Sequence, residues 1–261
     1  MQFKVAHRAS WSSFLLAMLV VCASCECTKC NDAGEQTDAE RTATGDDAQA
    51  LIKDNGDRQV TNKPETPSHD AAGRSARARP TKPRIPPVKK EDWSPKQQEL
   101  LAPFERTGRL FNVFTTMANH PDLAEDWLTF ATHILGSNSL PPRDREILIL
   151  RIGWLCKAEY EWAQHVRIGK GTGLSEDDVR RIAEGPDAAG LSDHDRLLLQ
   201  ATGELRDDAC LSDETWSQLA KDYSTQQMMD LVFTVGQYNL VSMALNSFGV
   251  QLDEGLTGFP Q

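Results

Sequence analysis

Apolar positions along the second half of the chain recur every three or four residues, which is the spacing that buries one face of an α-helix. After Pro121, for example, Leu123, Trp127, Phe130 and Ile134 fall on one side of such a helix. No window alternates with the two-residue period of a half-buried strand. The pattern therefore predicts an all-α fold of about seven to eight helices.

Two of the predicted helices lack a polar face. The segment from Arg143 to about Cys156 is apolar on every side, which predicts a central, buried helix. The last helix, from Thr225 to about Phe248, is also largely apolar, and this is typical of a helix that packs against a second subunit. We expect a homo-oligomer, with burial inside a monomer as the alternative.

Residues 1–25 have the layout of an export signal. A charged start precedes the apolar run from Phe14 to Val21, which is too short to span a bilayer. Small residues directly before Cys25 are similar to a bacterial lipoprotein site, so this cysteine is a candidate for lipidation and for membrane attachment. We expect an exported protein of the cell envelope or periplasm, lipid-anchored or else secreted.

Residues 26–92 have the composition of a disordered polar linker, because they hold too few large apolar residues to offset the entropy of ordering. Four cysteines between Cys22 and Cys30 have the spacing C-x2-C-x-C-x2-C. A zinc or iron–sulfur site is one interpretation, but processing or lipidation is favoured since no folded scaffold surrounds them.

Residues 93–261 suit a single domain. The net charge of −10 argues against nucleic-acid binding.

The side chains that could do chemistry cluster between Leu140 and His165. Glu146 lies near the start of the buried helix, while Glu161 and His165 lie one turn apart on the next helix and share a face. Charges in an apolar layer are costly unless paired, and such pairs are typical of proton-transfer sites. We predict Glu146, Glu161 and His165 as catalytic residues.

The same segment resembles the carboxymuconolactone decarboxylase and AhpD-like superfamily, an all-helical group of decarboxylases and thiol peroxidases. The resemblance covers roughly Leu110 to Gly255 and is strongest from Leu140 to His165. Glu146 precedes His165 by 19 residues, the spacing between the glutamate and the active-site histidine of AhpD-like proteins. The resemblance implies an AhpD-like helical domain in which His165 is the general acid/base and Glu146 orients it or completes the proton relay.

The sequence departs from the peroxidase members at one important place. Those proteins carry a Cys-x-x-Cys pair seven and four residues before the histidine, where this chain has Ala158 and Glu161. The redox pair that a disulfide cycle requires is therefore missing. The decarboxylase branch, which uses no cofactor, is the closer match. Cys156 is kept as a candidate redox residue, and whether it pairs with Cys210 stays open.

Three more residues are candidates for substrate binding. Arg151 lies inside the apolar helix, where an unpaired guanidinium would be costly, and Tyr160 and Trp162 flank the acid/base residues. An internal salt bridge is the alternative role for Arg151, and core packing is the alternative for the two aromatic residues. Gln237 and Tyr238 on the last helix either face the pocket or link helices through hydrogen bonds.

These observations predict a cofactor-free enzyme with no metal site that uses a Glu/His proton relay on a small carboxylate or lactone. One alternative is a thiol-dependent peroxidase that uses Cys156. The other is a non-catalytic module of the cell envelope that keeps the fold.

Overall fold

The computed structural model describes residues 78–260 of the chain. In this part the regular elements are helices, without any strand, so the predicted all-α fold is confirmed. The predicted export signal, the lipidation of Cys25 and most of the predicted linker concern residues outside the described part. The α-helices are α1 (Pro95–Arg106), α2 (Asn112–Met117), α3 (Pro121–Thr132), α4 (Pro142–Leu155), α5 (Glu159–Gly171), α6 (Glu176–Glu184), α7 (Asp193–Asp207), α8 (Asp213–Leu219) and α9 (Thr225–Phe248).

Serine side chains begin several of these helices by accepting a hydrogen bond from a backbone N–H of the first turn. Ser94 and Ser224 do so for α1 and α9, and in both cases a glutamine of the same turn reaches back to the cap. The side chains of Ser175 and Ser192 likewise accept from a backbone N–H in the first turn of α6 and α7. Such caps satisfy N–H groups that have no partner within the helix, and they fix where each helix starts.

Helix α4 is the centre of the domain, as its apolar sequence predicted. Every residue from Asp144 to Gly153 is buried, and the helix packs against α5, α6, α7 and α9. Leu148, Ile149 and Leu150 have no exposed surface. A helix surrounded in this way buries its polar side chains as well, and these must find partners inside the domain.

A tight turn between α4 and α5 positions the second half of the candidate site. Lys157 adopts the left-handed conformation with φ of 51°, and the N–H of Ala158 donates to the carbonyl of Gly153 at 2.9 Å. The turn reverses the chain direction, so α5 packs back along α4. This return places residues of α5 opposite residues near the start of α4.

Residues 78–92 differ from the predicted disorder, because they follow a defined path along the helical domain. The N–H of Arg84 donates to the carbonyl of Phe248 at 2.8 Å, and the N–H of Val88 donates to that of Thr115 at 3.0 Å. Val88 also packs against an apolar cluster that includes Leu100 and Leu101. A few apolar and hydrogen-bonded residues thus anchor a segment whose overall composition is polar.

The C-terminal segment after α9 packs back onto α5. Leu252 joins an apolar cluster with Tyr160, and the ring of Phe259 lies 5.1 Å from that of Trp154 and 5.8 Å from that of Trp162. Among the helices of residues 78–260, none combines the length and the hydrophobicity that a bilayer crossing requires.

Candidate active site

His165 lies between two carboxylates in the interior of the domain. Its Nδ1 atom is 2.6 Å from Oε2 of Glu146 on α4, and its Nε2 atom is 3.0 Å from Oε1 of Glu161, one turn earlier on α5. The exposed fractions are 4% for His165, 0% for Glu146 and 4% for Glu161. The structure therefore brings together the three residues that the sequence analysis selected as catalytic.

Arg145 adds a further positive charge to this cluster. Its Nε atom lies 3.2 Å from Oε1 of Glu146, and its Nη1 atom donates to the carbonyl of Leu135 at 3.0 Å. Arg145 and a protonated His165 balance the charges of the two glutamates. Because buried ions are tolerated when they are paired and hydrogen-bonded, this balance explains how the core of the domain accommodates them.

The charge state of His165 is set by two opposing effects. Burial lowers the pKa of the ring, since it disfavours the charged form. The carboxylates of Glu146 and Glu161 outweigh burial through their charge and their hydrogen bonds, and they raise the pKa of His165 to about 9. At neutral pH the ring is an imidazolium that donates to both carboxylates. In this state His165 is an acid, and a glutamate must serve as the base.

A cavity of about 190 Å³ lies beside the buried cluster. Both Glu161 and His165 line it, whereas Glu146 does not. Its wall is mainly aromatic and aliphatic, and small-molecule sites in proteins commonly have this composition, with a few polar groups that fix orientation. The apolar residues of the wall are Phe104, Phe111, Val113, Phe114, Trp127, Ala131, Leu135, Ile168 and Val241.

Tyr160 and Gln164 form a polar part of the same wall, held by the C-terminal segment. The hydroxyl of Tyr160 donates to Oδ2 of Asp253 at 2.5 Å, and Nε2 of Gln164 donates to the same oxygen at 2.7 Å. The other oxygen of Asp253 accepts from the N–H of Asn112 at the start of α2. Burial and the adjacent Asp253 raise the pKa of Tyr160, so its hydroxyl stays protonated.

Helix α9 contributes Gln237 and Tyr238 to the cavity. The ring of Tyr238 contacts that of His165 edge-on, with 4.9 Å between the centroids. Burial and the charges of Glu161 and Glu146 raise the pKa of Tyr238 well above its usual value, which keeps its hydroxyl protonated. The sequence left open whether these two residues face the pocket or link helices through hydrogen bonds, and the structure favours the pocket.

Arg151 lies away from the cavity, in contrast to its predicted role in substrate binding. Its Nη1 atom donates to the carbonyls of Ile182 and Ala183, each at 3.0 Å, at the end of α6. Gly185 follows directly, with φ of +109°, and a Cβ there would lie 2.7 Å from Nη2 of Arg151. The guanidinium therefore closes the C-terminal end of α6, where a cation is favourable. The alternative salt bridge to a glutamate does not form either, because Glu146 is paired with Arg145 and His165 and Glu161 is paired with His165.

Trp162 and Cys156 also lie outside the cavity wall. Trp162 packs against Trp154, with 5.0 Å between the ring centroids, and thus has the core-packing role that was its alternative. The thiol of Cys156 donates to Oδ1 of Asn239 at 3.1 Å, and burial raises its pKa. Cys156 and Cys210 are both free thiols.

Gln164 and Asp253 were not predicted from the sequence, and neither was the pairing of Arg145 with Glu146. Gln164 had a signal, because it lies four residues after Tyr160 and therefore on the same helix face. Asp253 had none, since its contacts depend on how the C-terminal segment folds back. Within residues 78–260 no group of three histidine, cysteine or acidic side chains is arranged to hold a metal ion.

Comparison with known proteins gives the class of this domain. The sequence model of the carboxymuconolactone decarboxylase family matches residues 121–203, which run from the start of α3 into α7 and include Glu146, Glu161 and His165. No curated protein matches the chain.

Solved structures with the same fold are only distantly similar in sequence. A peroxidase-related protein from Ralstonia eutropha JMP134, described as an alkylhydroperoxidase AhpD core, is 16% identical with a TM-score of 0.58, covering 66% of this chain and 93% of its own. A peroxidase-related protein from Silicibacter sp. TM1040 is 16% identical with a TM-score of 0.56, covering 67% and 95%. The debrominase Bmp8 is 17% identical with a TM-score of 0.55, covering 65% and 92%.

The helical domain has the fold of the AhpD-like proteins. The match to the carboxymuconolactone decarboxylase family covers residues 121–203, and together with the shared fold it supports a place in the carboxymuconolactone decarboxylase and AhpD-like superfamily. Proteins of this fold are named for different reactions, so the fold alone does not indicate which reaction a member catalyses. The reaction has to be inferred from the side chains of the site.

Proposed function

We propose that this protein is a cofactor-free enzyme that transfers protons on a small carboxylate or lactone, using Glu161, His165 and Glu146. The observation that carries the proposal is the position of His165. Both of its ring nitrogens face carboxylate oxygens, and one of these carboxylates, that of Glu161, reaches the cavity. A base and an acid thus lie side by side at the wall of a mostly apolar pocket.

The reaction proceeds in two proton-linked steps. In a decarboxylation, the bond between the ring carbon and the carboxylate breaks, carbon dioxide leaves, and the electron pair moves into the conjugated system of the substrate. The imidazolium of His165 then delivers a proton to the carbon that carries the negative charge. Glu161 removes or returns a proton when the double bond of the substrate moves. Glu146 holds the imidazole ring of His165 in position and stabilises the charged form of that ring.

A thiol peroxidase is the alternative that the fold suggests, but the position of Cys156 does not favour it. The residues that correspond to the redox pair are Ala158 and Glu161. The remaining thiol nearby, that of Cys156, lies off the cavity wall, and burial raises its pKa, which lowers the fraction of reactive thiolate. The proposed acid/base reaction does not require a thiol.

The proposal is tested by a substrate screen with the full chain and three variants. Small carboxylated lactones and carboxylated enols in deuterated water report carbon dioxide release and deuterium incorporation by NMR, and thiol-dependent hydroperoxide reduction is assayed in parallel. We expect Glu161→Gln and His165→Gln to lower kcat by about 10²- to 10⁴-fold, the usual contribution of a general acid or base. Cys156→Ser is the matched control and should retain the activity of the unchanged chain.

Two outcomes would overturn the proposal. Hydroperoxide reduction that is abolished by Cys156→Ser, with no turnover of lactones, would make the protein a peroxidase with an unusual nucleophile. Absence of turnover in both assays, with His165→Gln leaving every measured property unchanged, would favour the non-catalytic envelope module.

A further inference from the structure

Two residues that line the cavity each have a buried N–H donor without a hydrogen-bond partner within the described part of the chain. One is Nε2 of Gln237 and the other is Nε1 of Trp127, and both atoms are buried. Gln237 is 6% exposed and lines this cavity, and Trp127 lines it together with a smaller cavity next to it. A buried donor that makes no hydrogen bond costs about 1–3 kcal/mol, and folded proteins contain few of them.

Most other polar groups of the cavity wall are occupied by protein partners. Tyr160 and Gln164 both donate to Asp253, and Glu161 is paired with His165. The side-chain oxygen of Gln164 accepts from Arg167 at 3.0 Å. The amide nitrogen of Gln237 is therefore a buried donor beside this cavity that has no protein partner in the described part of the chain.

The shape of the wall indicates what kind of molecule would carry the matching acceptor. Its aromatic side chains include Phe104, Phe111, Phe114 and Trp127, and the rings of Phe104 and Phe114 stack with 4.1 Å between their centroids. Aromatic walls pack best against flat rings, through stacked or edge-on contacts. The cavity volume of about 190 Å³ suits a single substituted ring.

We infer that Gln237 donates a hydrogen bond to an oxygen acceptor on a flat, ring-containing molecule in this cavity and thereby determines which molecules the site accepts. The inference rests on the proposed function, because the bound ring would lie next to Glu161 and His165. Gln237 is a positioning and specificity residue in this account.

The test uses two neutral probes that contain the same number of non-hydrogen atoms. Acetophenone carries a carbonyl acceptor, and isopropylbenzene has a methyl group in place of that oxygen. Binding of both to the full chain is measured by ligand-observed NMR and by calorimetry. We expect acetophenone to bind about five- to tenfold more tightly, the effect of one hydrogen bond that would otherwise be unmade.

Gln237→Leu should remove this preference while leaving the affinity for isopropylbenzene unchanged or improved. Gln237→Met gives the same test with a side chain of similar length, should the leucine variant fold poorly. Gln218→Leu on α8, where the glutamine is exposed, is the matched control and should keep the preference.

An unchanged preference in both Gln237 variants would overturn the inference, and so would failure of the unchanged chain to bind either probe. The Glu161→Gln variant distinguishes failure of this inference from failure of the proposed reaction. It should still prefer acetophenone to isopropylbenzene although it is catalytically inactive. Selective binding together with failure of the substrate screen would therefore contradict the reaction and leave the role of Gln237 in place.

Discussion

At the scale of single residues, polar groups buried in the apolar core explain both the site and part of the stability. His165 and the two glutamates compensate one another, while Arg151 satisfies the end of a helix. From the sequence alone, all four side chains are equally good candidates for a functional site, because each is a charged group in an apolar segment. Their roles differ because their hydrogen-bond partners differ, and those partners depend on how the neighbouring helices pack.

The contacts of Arg151 lead to a prediction about stability. Arg151→Met should leave the carbonyls of Ile182 and Ala183 without their donor and lower the free energy of unfolding by about 1–3 kcal/mol, as measured by urea denaturation. Arg180→Met, at an exposed position of the same helix, is the control and should change little. Reduced ligand binding with unchanged stability would instead show that Arg151 belongs to the site.

At the scale of elements, helix starts were more predictable than the contacts between helices. Ser94, Ser175 and Ser224 are local signals, because a cap involves only the first turn of its own helix. The apolar surroundings of α4 were also evident from its pattern. By contrast, the path of residues 78–92 and the contacts of Asp253 involve residues far apart in sequence, and neither leaves a periodic signal.

A network of three side chains joins α4, α7 and the residue before the cap of α9. Oδ2 of Asp144 lies 3.0 Å from Nε2 of His194 and accepts from the hydroxyl of Tyr223 at 2.6 Å. The pKa of His194 is raised, chiefly by its hydrogen bond to Asp144. The pKa of Asp144 is lowered, because hydrogen bonds from His194 and Tyr223 outweigh its burial.

This network predicts how stability depends on pH. The contribution of His194 is complete below its ordinary pKa of about 6.5 and is lost as pH rises through the raised value. The contribution of Asp144 is complete above its ordinary pKa of about 3.9 and is lost as pH falls through the lowered value. Urea denaturation across pH should therefore show a smaller alkaline decrease for His194→Gln than for the unchanged chain. Superimposable curves would contradict this account.

Helix α9 carries an exposed apolar stripe on the side away from α4, formed by Met229, Phe233, Leu240 and Met243, which are 52–57% exposed. Their alternating spacing of four and three residues, with Gly236 between, matches the seam of a helix pair. Exposed apolar patches of this kind mark interaction sites. We propose that a second copy of the chain covers the stripe.

The proposed assembly is tested by light scattering after size-exclusion chromatography. Phe233→Asp should lower the molar mass, because a carboxylate would be buried without a partner at the seam. Trp216→Asp changes an exposed aromatic residue on α8 and should leave the mass unchanged. A monomeric unchanged chain would rule out the homo-oligomer.

At the scale of the whole molecule, the helical domain is one part of a longer chain whose first residues have the sequence features of an export signal. We propose that the protein is exported and attached to a membrane through a lipid on Cys25. Expressed in bacteria, the unchanged chain should fractionate with membranes. Cys25→Ala should move it to the soluble fraction, while Cys27→Ala should not. A cytoplasmic chain that retains Met1 would contradict this proposal.

The central claim of this account is that an imidazolium lies between two buried carboxylates, and the most direct test is the titration of His165 by NMR of its ring carbons. We expect a pKa of about 9 in the unchanged chain and a lower value in Glu161→Gln, because one of the two stabilising charges is removed. An ordinary pKa near about 6.5 in both proteins would contradict the proposed relay.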